Sequence, residues 1–128
     1  METLSRLPYV DAVVSESLRK YPPAFLTQRE ITAAEYRIPE LDLTLPKGTF
    51  LVIPIYALHH CDQFFPHPDQ FDPDRFLPEN RHQIAPYSYL PFGAGPRNCI
   101  GMKLALDVTK KTIAAMSIDS KLFRSRKQ

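Results

Sequence analysis

The chain has 128 residues, 44% of them hydrophobic, with a formal net charge of +2; it is long and apolar enough for one domain with a buried core, which excludes a chain disordered by composition. Its 16 lysines and arginines are scattered, without the concentrated basic stripe of a nucleic-acid binder, so nucleic acid is not an expected partner. Two cysteines, Cys61 and Cys99, make no disulfide framework and read as a reducing compartment.

Residues 1–7 lack the apolar core of a signal peptide, and no window nears the roughly 20 apolar residues of a membrane span. The first element is a helix over Pro8–Lys20, with Pro8 in its first turn and Val10, Val13, Val14 and Ser17 on one face. Pro22 and Pro23 end it and push Tyr21 to an extended conformation. Leu41, Leu43 and Leu45 then alternate with other residues as a half-buried strand does, and Pro46 with Gly48 supplies turn chemistry for a hairpin into the run 50–56. That run is apolar throughout, which suits a strand buried on both faces, with Pro54 confining it to an edge or an end.

Residues 62–91 show no periodicity but hold many of the chain's 13 prolines, with aromatics between them. Loops longer than about 12 to 15 residues are uncommon unless functional, so a site is expected nearby. A second helix is expected from Cys99 or Ile100 to about Met116, with Gly101, Leu104, Ala105, Val108 and Ala115 on one face and Lys103, Asp107 and Lys110 on another. The polar, basic stretch 120–128 is expected to fray. No internal repeat or linker divides residues 1–128, so they read as one domain.

The chemistry concentrates at Pro91-Phe92-Gly93-Ala94-Gly95-Pro96-Arg97-Asn98-Cys99-Ile100-Gly101. Gly93 and Gly95 can take positive φ and bring backbone close to a flat cofactor. A cysteine at a helix N-terminus meets unpaired N–H groups and the positive end of the helix dipole, which favours the thiolate that iron ligation needs. Arg97 offers a fork of donors suited to a carboxylate such as a haem propionate. On this physics alone Cys99 is as readily a buried structural thiol.

The segment resembles the haem-binding loop of the cytochrome P450 family, Phe-x-x-Gly-x-Arg-x-Cys-x-Gly, matched by Phe92, Gly95, Arg97, Cys99 and Gly101. The resemblance implies haem b as cofactor, Cys99 as axial iron ligand, and Phe92, Arg97 and Gly101 as residues around the porphyrin. It also implies an α+β fold, mainly α with a small β-sheet portion, made of a Glu-x-x-Arg helix, short strands, meander, cysteine loop and proximal helix. Glu16 and Arg19 match the Glu-x-x-Arg pair and Arg75 matches the arginine that completes it, a structural network that would clamp the meander. Arg29 matches, by position, a basic residue reaching a propionate, and Ala24, Phe25 and Leu26 match the segment lining the substrate side.

His59, His60, Cys61 and His67 do not make a zinc set: adjacent histidines point apart, no Cys-x-x-Cys occurs, and Cys99 lies far along the chain. Surface or capping histidines are the expectation there. The resemblance runs over about residues 7–116 and corresponds to roughly the last quarter of a complete member, so a membrane anchor, the substrate-gating helices and the long distal helix with its acid and threonine are expected to be absent. It implies haem-thiolate monooxygenation of a small lipophilic substrate as the parent activity, in the style of microsomal enzymes that oxidise foreign compounds. An NADPH-dependent reductase would dock near Lys103 and Lys110, and the full-length parent would sit at the endoplasmic reticulum membrane. The alternative for the chain itself is a non-catalytic truncated fragment that holds haem weakly or not at all.

Overall fold

The structure is a computed structural model and describes residues 7–118. Helix α1 spans Pro8–Lys20, with Pro8 in its first turn and Asp11 at the end where negative charge is favourable. Tyr21 leaves helical geometry at φ −129° and ψ 63°, its N–H still bonded to the Ser17 carbonyl at 2.8 Å. The fully buried face of α1 differs from the expected one. Ala12, Glu16 and Arg19 have no solvent exposure, whereas Val10, Val13 and Ser17 are half-buried. Of the expected stripe only Val14 is buried, and apolar periodicity missed the rest because two of the three most deeply packed positions, Glu16 and Arg19, carry charge.

Four strands follow: β1 (Thr27–Glu30), β2 (Glu35–Ile38), β3 (Leu43–Pro46) and β4 (Phe50–Ile53). They do not pair as expected. β1 pairs with β4 and β2 with β3, both antiparallel, so β3 and β4 are successive parts of one arm and not partners. The reversal is at Pro39–Leu41, closed by Asp42 in the left-handed region at φ 46°. Between the ladders the pairing continues through Ile31 N–H to Thr49 O (2.9 Å) and Lys47 N–H to Ala34 O (3.0 Å). The first arm advances three residues there and the second two, a bulge-like slip of one residue beside Gly48 at φ 84°. The turn chemistry of Pro46 and Gly48 serves that slip.

β4 is also not buried on both faces. Its exposure alternates, with Phe50 61% and Val52 58% exposed while Leu51 and Ile53 turn inward. Pro54 ends it, and residues 55–59 form a short helix, α2 (Ile55–His59).

Residues 60–101 form the meander and cysteine loop, with single-turn helices at Pro73–Phe76, Arg81–Gln83 and Gly95–Arg97. The meander is anchored by its aromatics: Phe65 and Phe76 are buried against Ala12, with Phe64, Leu77, Ile84 and Tyr89 packed around them. The last helix, α3, spans Met102–Ile118. It begins three residues beyond Cys99, and it turns Met102, Leu106, Lys110, Ile113 and Ala114 inward, not the expected stripe. Leu104 and Val108 are 69% and 52% exposed. Lys110 is correspondingly not on an open cationic face with Lys103, because it pairs with Asp11 and ties α3 to α1. The stretch 120–128 lies outside the described residues.

Candidate functional site

Three structural units meet around Cys99. The first is the cysteine loop itself. Phe92 C=O accepts the Cys99 N–H at 2.8 Å, Leu90 C=O accepts the Gly93 N–H at 3.1 Å, and Gly95 C=O accepts the Asn98 N–H at 3.1 Å, so the loop is closed on its own backbone. Gly93 and Gly95 lie at φ 71° and 75°, conformations that an L side chain resists. A Cβ at Gly95 would meet nothing within 4 Å, so the backbone conformation, more than space, demands glycine there. Cys99 is a free, exposed thiol. A Cβ on Gly101 would stand 3.8 Å from its sulfur, in ordinary contact. The cysteine precedes the first turn of α3, and its carbonyl accepts the Met102 N–H at 3.3 Å.

The second unit is the β1–β4 ladder. Its register sets Thr27 opposite Ile53 and Arg29 opposite Leu51, all on the inward face. Arg29 donates to Thr27 Oγ1 (3.1 Å), to Gln28 O (2.8 Å) and across to Arg97 O (3.3 Å), which joins the strand to the cysteine loop. A cavity of about 440 Å³ lies between them, lined by Thr27, Arg29, Ile53, Leu58, Leu90 and the 93–95 turn, with Tyr87 at its side. That volume falls in the usual range of small-molecule sites, roughly 300–1,000 Å³. Arg97 is exposed, and among the described residues no hydrogen bond engages its guanidinium.

The third unit is a fully buried ion pair beneath the loop. Arg19 Nε donates to Glu16 Oε2 at 2.7 Å and Nη2 to Oε1 at 2.8 Å, the bidentate geometry that suits guanidinium and carboxylate. The remaining donors of Arg19 reach the carbonyls of His59 (2.9 Å), Pro68 (2.9 Å) and Gln70 (3.1 Å), and Glu16 Oε1 accepts the Asp72 N–H at 2.9 Å. Arg75 Nε stands 4.0 Å from Glu16 and 3.6 Å from Asp72 and makes no hydrogen bond of its own, while Nη2 reaches His67 O at 3.3 Å. The meander is therefore gripped chiefly by Arg19 and Glu16, with Arg75 a looser third member.

Sequence reasoning missed His59. It is not a surface or capping histidine: it has no exposure, Nδ1 lies 3.1 Å from Arg19 O, and Nε2 accepts the Leu90 N–H at 2.8 Å. Burial pushes its pKa down to about 4. Burial likewise raises the Tyr89 phenol, whose O–H donates to Ser15 O at 2.9 Å. No apolar period points to a buried histidine, and the one available signal was its place in an otherwise apolar five-residue run. Ala24, Phe25 and Leu26 are exposed, and Phe25 packs against Tyr56, ring centroids 5.5 Å apart, in a recess that it shares with Lys20, Tyr21 and His60. Among the described residues no group of three or more His, Cys, Asp or Glu side chains stands close enough to hold a metal ion, and no helix is long and apolar enough to cross a membrane.

A family model described as Cytochrome P450 matches residues 1–116. The chain belongs to the cytochrome P450 family. Its curated relatives include cytochrome P450 9e2 of Blattella germanica, 51% identical over 110 residues that cover 85% of this chain and 20% of that protein. Thromboxane-A synthase of Mus musculus is 51% identical over 107 residues, 84% of this chain and 20% of that protein. Probable cytochrome P450 6a13 of Drosophila melanogaster is 41% identical over 128 residues, 98% of this chain and 25% of that protein. The chain thus spans a fifth to a quarter of the length of these P450 relatives. Members of the P450 family bind haem b and are haem-thiolate monooxygenases.

The residues present fit that cofactor by the chemistry of their donors. An exposed thiol stands on a backbone-closed loop, the Arg29 guanidinium bonds the Arg97 carbonyl two residues before it, the Arg97 side chain is itself exposed, and the cleft between the β1–β4 ladder and the 93–95 turn is mainly apolar. Sulfur for iron, cations for carboxylates and an apolar wall for a porphyrin edge are what haem b requires.

Proposed function

We propose that this chain forms the thiolate-bearing side of a cytochrome P450 haem site, in which Cys99 would supply the sulfur ligand to the iron. The observation that carries the reading is the exposed sulfur of Cys99 held at the head of α3 by a loop that Arg29 joins to the β1–β4 ladder. Phe92 and Gly101 flank the sulfur, Arg97 and Arg29 take the propionates, and Ala24, Phe25 and Leu26, exposed just before β1, provide the substrate-side surface. Glu16, Arg19 and Arg75 act structurally, fixing the meander under the loop. Haem, held through the Cys99 sulfur, would supply the redox chemistry that no side chain here offers, with the thiolate donating electron density to the metal. The chain's own contribution is to hold the sulfur in place, to neutralise the propionates and to exclude water from one porphyrin edge.

Within a longer protein of this kind the activity is monooxygenation of a small lipophilic substrate at the endoplasmic reticulum membrane, with electrons from an NADPH-dependent reductase. Exposed Ile100, Leu104 and Val108 favour a second reading for the chain on its own, since apolar surface beside the site is left in water and haem would then be held weakly or not at all. The test is a titration of the purified chain with haemin, followed by reduction and carbon monoxide. A red-shifted Soret band that disappears in Cys99→Ala supports thiolate ligation; no spectral change at saturating haemin selects the non-binding fragment.

A further inference from the structure

His59 connects the buried ion pair to the cysteine loop through a single imidazole. An amide N–H only donates, so Nε2, 2.8 Å from Leu90 N, must be bare. A carbonyl only accepts, so Nδ1, 3.1 Å from Arg19 O, must carry the proton. One neutral tautomer satisfies both contacts. The ring is wedged between Tyr89, stacked at 5.3 Å, and the edge of Phe65 at 6.3 Å, and Arg19 Nη1 returns a bond to the His59 carbonyl at 2.9 Å. Its depressed pKa, caused first by burial, keeps the ring neutral at ordinary pH.

Beyond His59 the relay reaches the root of the loop. The Leu90 peptide is held on its N–H side by His59 and on its carbonyl side by Gly93, and two residues later Phe92 C=O receives the Cys99 N–H. Leu90 is therefore held through both its N–H and its carbonyl at the root of the segment that carries the two positive-φ glycines. We infer that His59 is a positioning residue for Cys99: through Leu90 it passes the fixed geometry of the Glu16–Arg19 pair to the cysteine loop and so sets where the sulfur lies. The functional part rests on the reading of Cys99 as haem ligand; the mechanical part stands on the unliganded chain.

Two substitutions separate the contacts. Glutamine at 59 can still present an acceptor to the Leu90 N–H, whereas the shorter asparagine reaches only the Arg19 side. Amide hydrogen exchange on the full chain is expected to show the Leu90, Gly93 and Cys99 amides about tenfold faster in His59→Asn, the factor one ordinary hydrogen bond gives. The amides of α1 should stay near wild type, and His59→Gln should restore the loop. In the haemin-loaded, reduced, carbon monoxide form, His59→Asn should move part of the Soret intensity from the red-shifted to the unshifted position. Uniform acceleration across α1 and the loop, or identical behaviour of the two variants, overturns the inference and makes His59 an ordinary core residue. Should either variant not fold, the wild-type chain decides: a through-hydrogen-bond coupling between Leu90 ¹⁵N and His59 Nε2 is expected, and its absence sinks the proposal. Failure of the wild-type chain to give any red-shifted band removes the haem reading, while the exchange data still judge the relay.

Discussion

Glu16 and Arg19 are both fully buried and bonded to each other twice. Glu16→Ala would leave a buried guanidinium without its counter-charge, so we expect a loss of about 3–5 kcal/mol, read by urea unfolding. Arg75→Ala removes a single carbonyl bond and two long ion pairs, at 4.0 Å to Glu16 and 3.6 Å to Asp72, and should cost only about 1 kcal/mol by the same measurement. An equal loss from both would refute the unequal division of the clamp. His59 gives the chain a pH signature. Its pKa falls from 6.5 unfolded to about 4 folded, so between those values the unfolded chain binds a proton that the folded chain refuses. This contribution is complete above pH 6.5, is lost as pH falls toward 4, and is flat below that; it amounts to up to about 3 kcal/mol. Stability measured from pH 7 to pH 4 should fall less steeply in His59→Gln than in wild type. At this scale the sequence disclosed the Cys99 motif because every fixed position matched, and it hid His59 because a buried, doubly bonded histidine leaves no periodic trace.

Helix α1 was legible to the residue because prolines mark both its ends, Pro8 inside and Pro22 beyond. Its buried stripe was not, since Glu16 and Arg19 stand where an apolar residue is sought. The strands were harder. β1 reads Thr-Gln-Arg-Glu and β2 Glu-Tyr-Arg-Ile, segments too short and polar to show alternation, and without them the apolar β3 and β4 had only each other to pair with. Helix α3 carries two apolar stripes, and docking on α1 selects the one with Leu106, Ile113 and Ala114. Leu104→Lys, on the open stripe, should therefore change unfolding free energy by no more than about 0.5 kcal/mol. Phe65→Ala, in the cluster that seats the meander on α1, should cost about 3–5 kcal/mol. A large effect at Leu104 would mean that α3 docks by its other face.

Across the whole molecule, the charged clamp, the β1–β4 ladder and α3 converge on one loop, while apolar side chains stand open at Phe50 and Val52 of β4 and at Ile100, Leu104 and Val108 in and after the loop. A chain that spans a fifth to a quarter of its relatives' length has few other places to bury such surface. Haemin, by binding the folded state alone, should raise the thermal midpoint with concentration, by the equivalent of about 2.7 kcal/mol at a hundredfold excess over Kd. The central claim concerns the bond between sulfur and iron, and X-ray absorption at the iron edge of the haemin-loaded chain tests it most directly. We predict an iron–sulfur scattering path in the wild type that vanishes in Cys99→Ala; a first shell of nitrogen and oxygen alone in the wild type would contradict it.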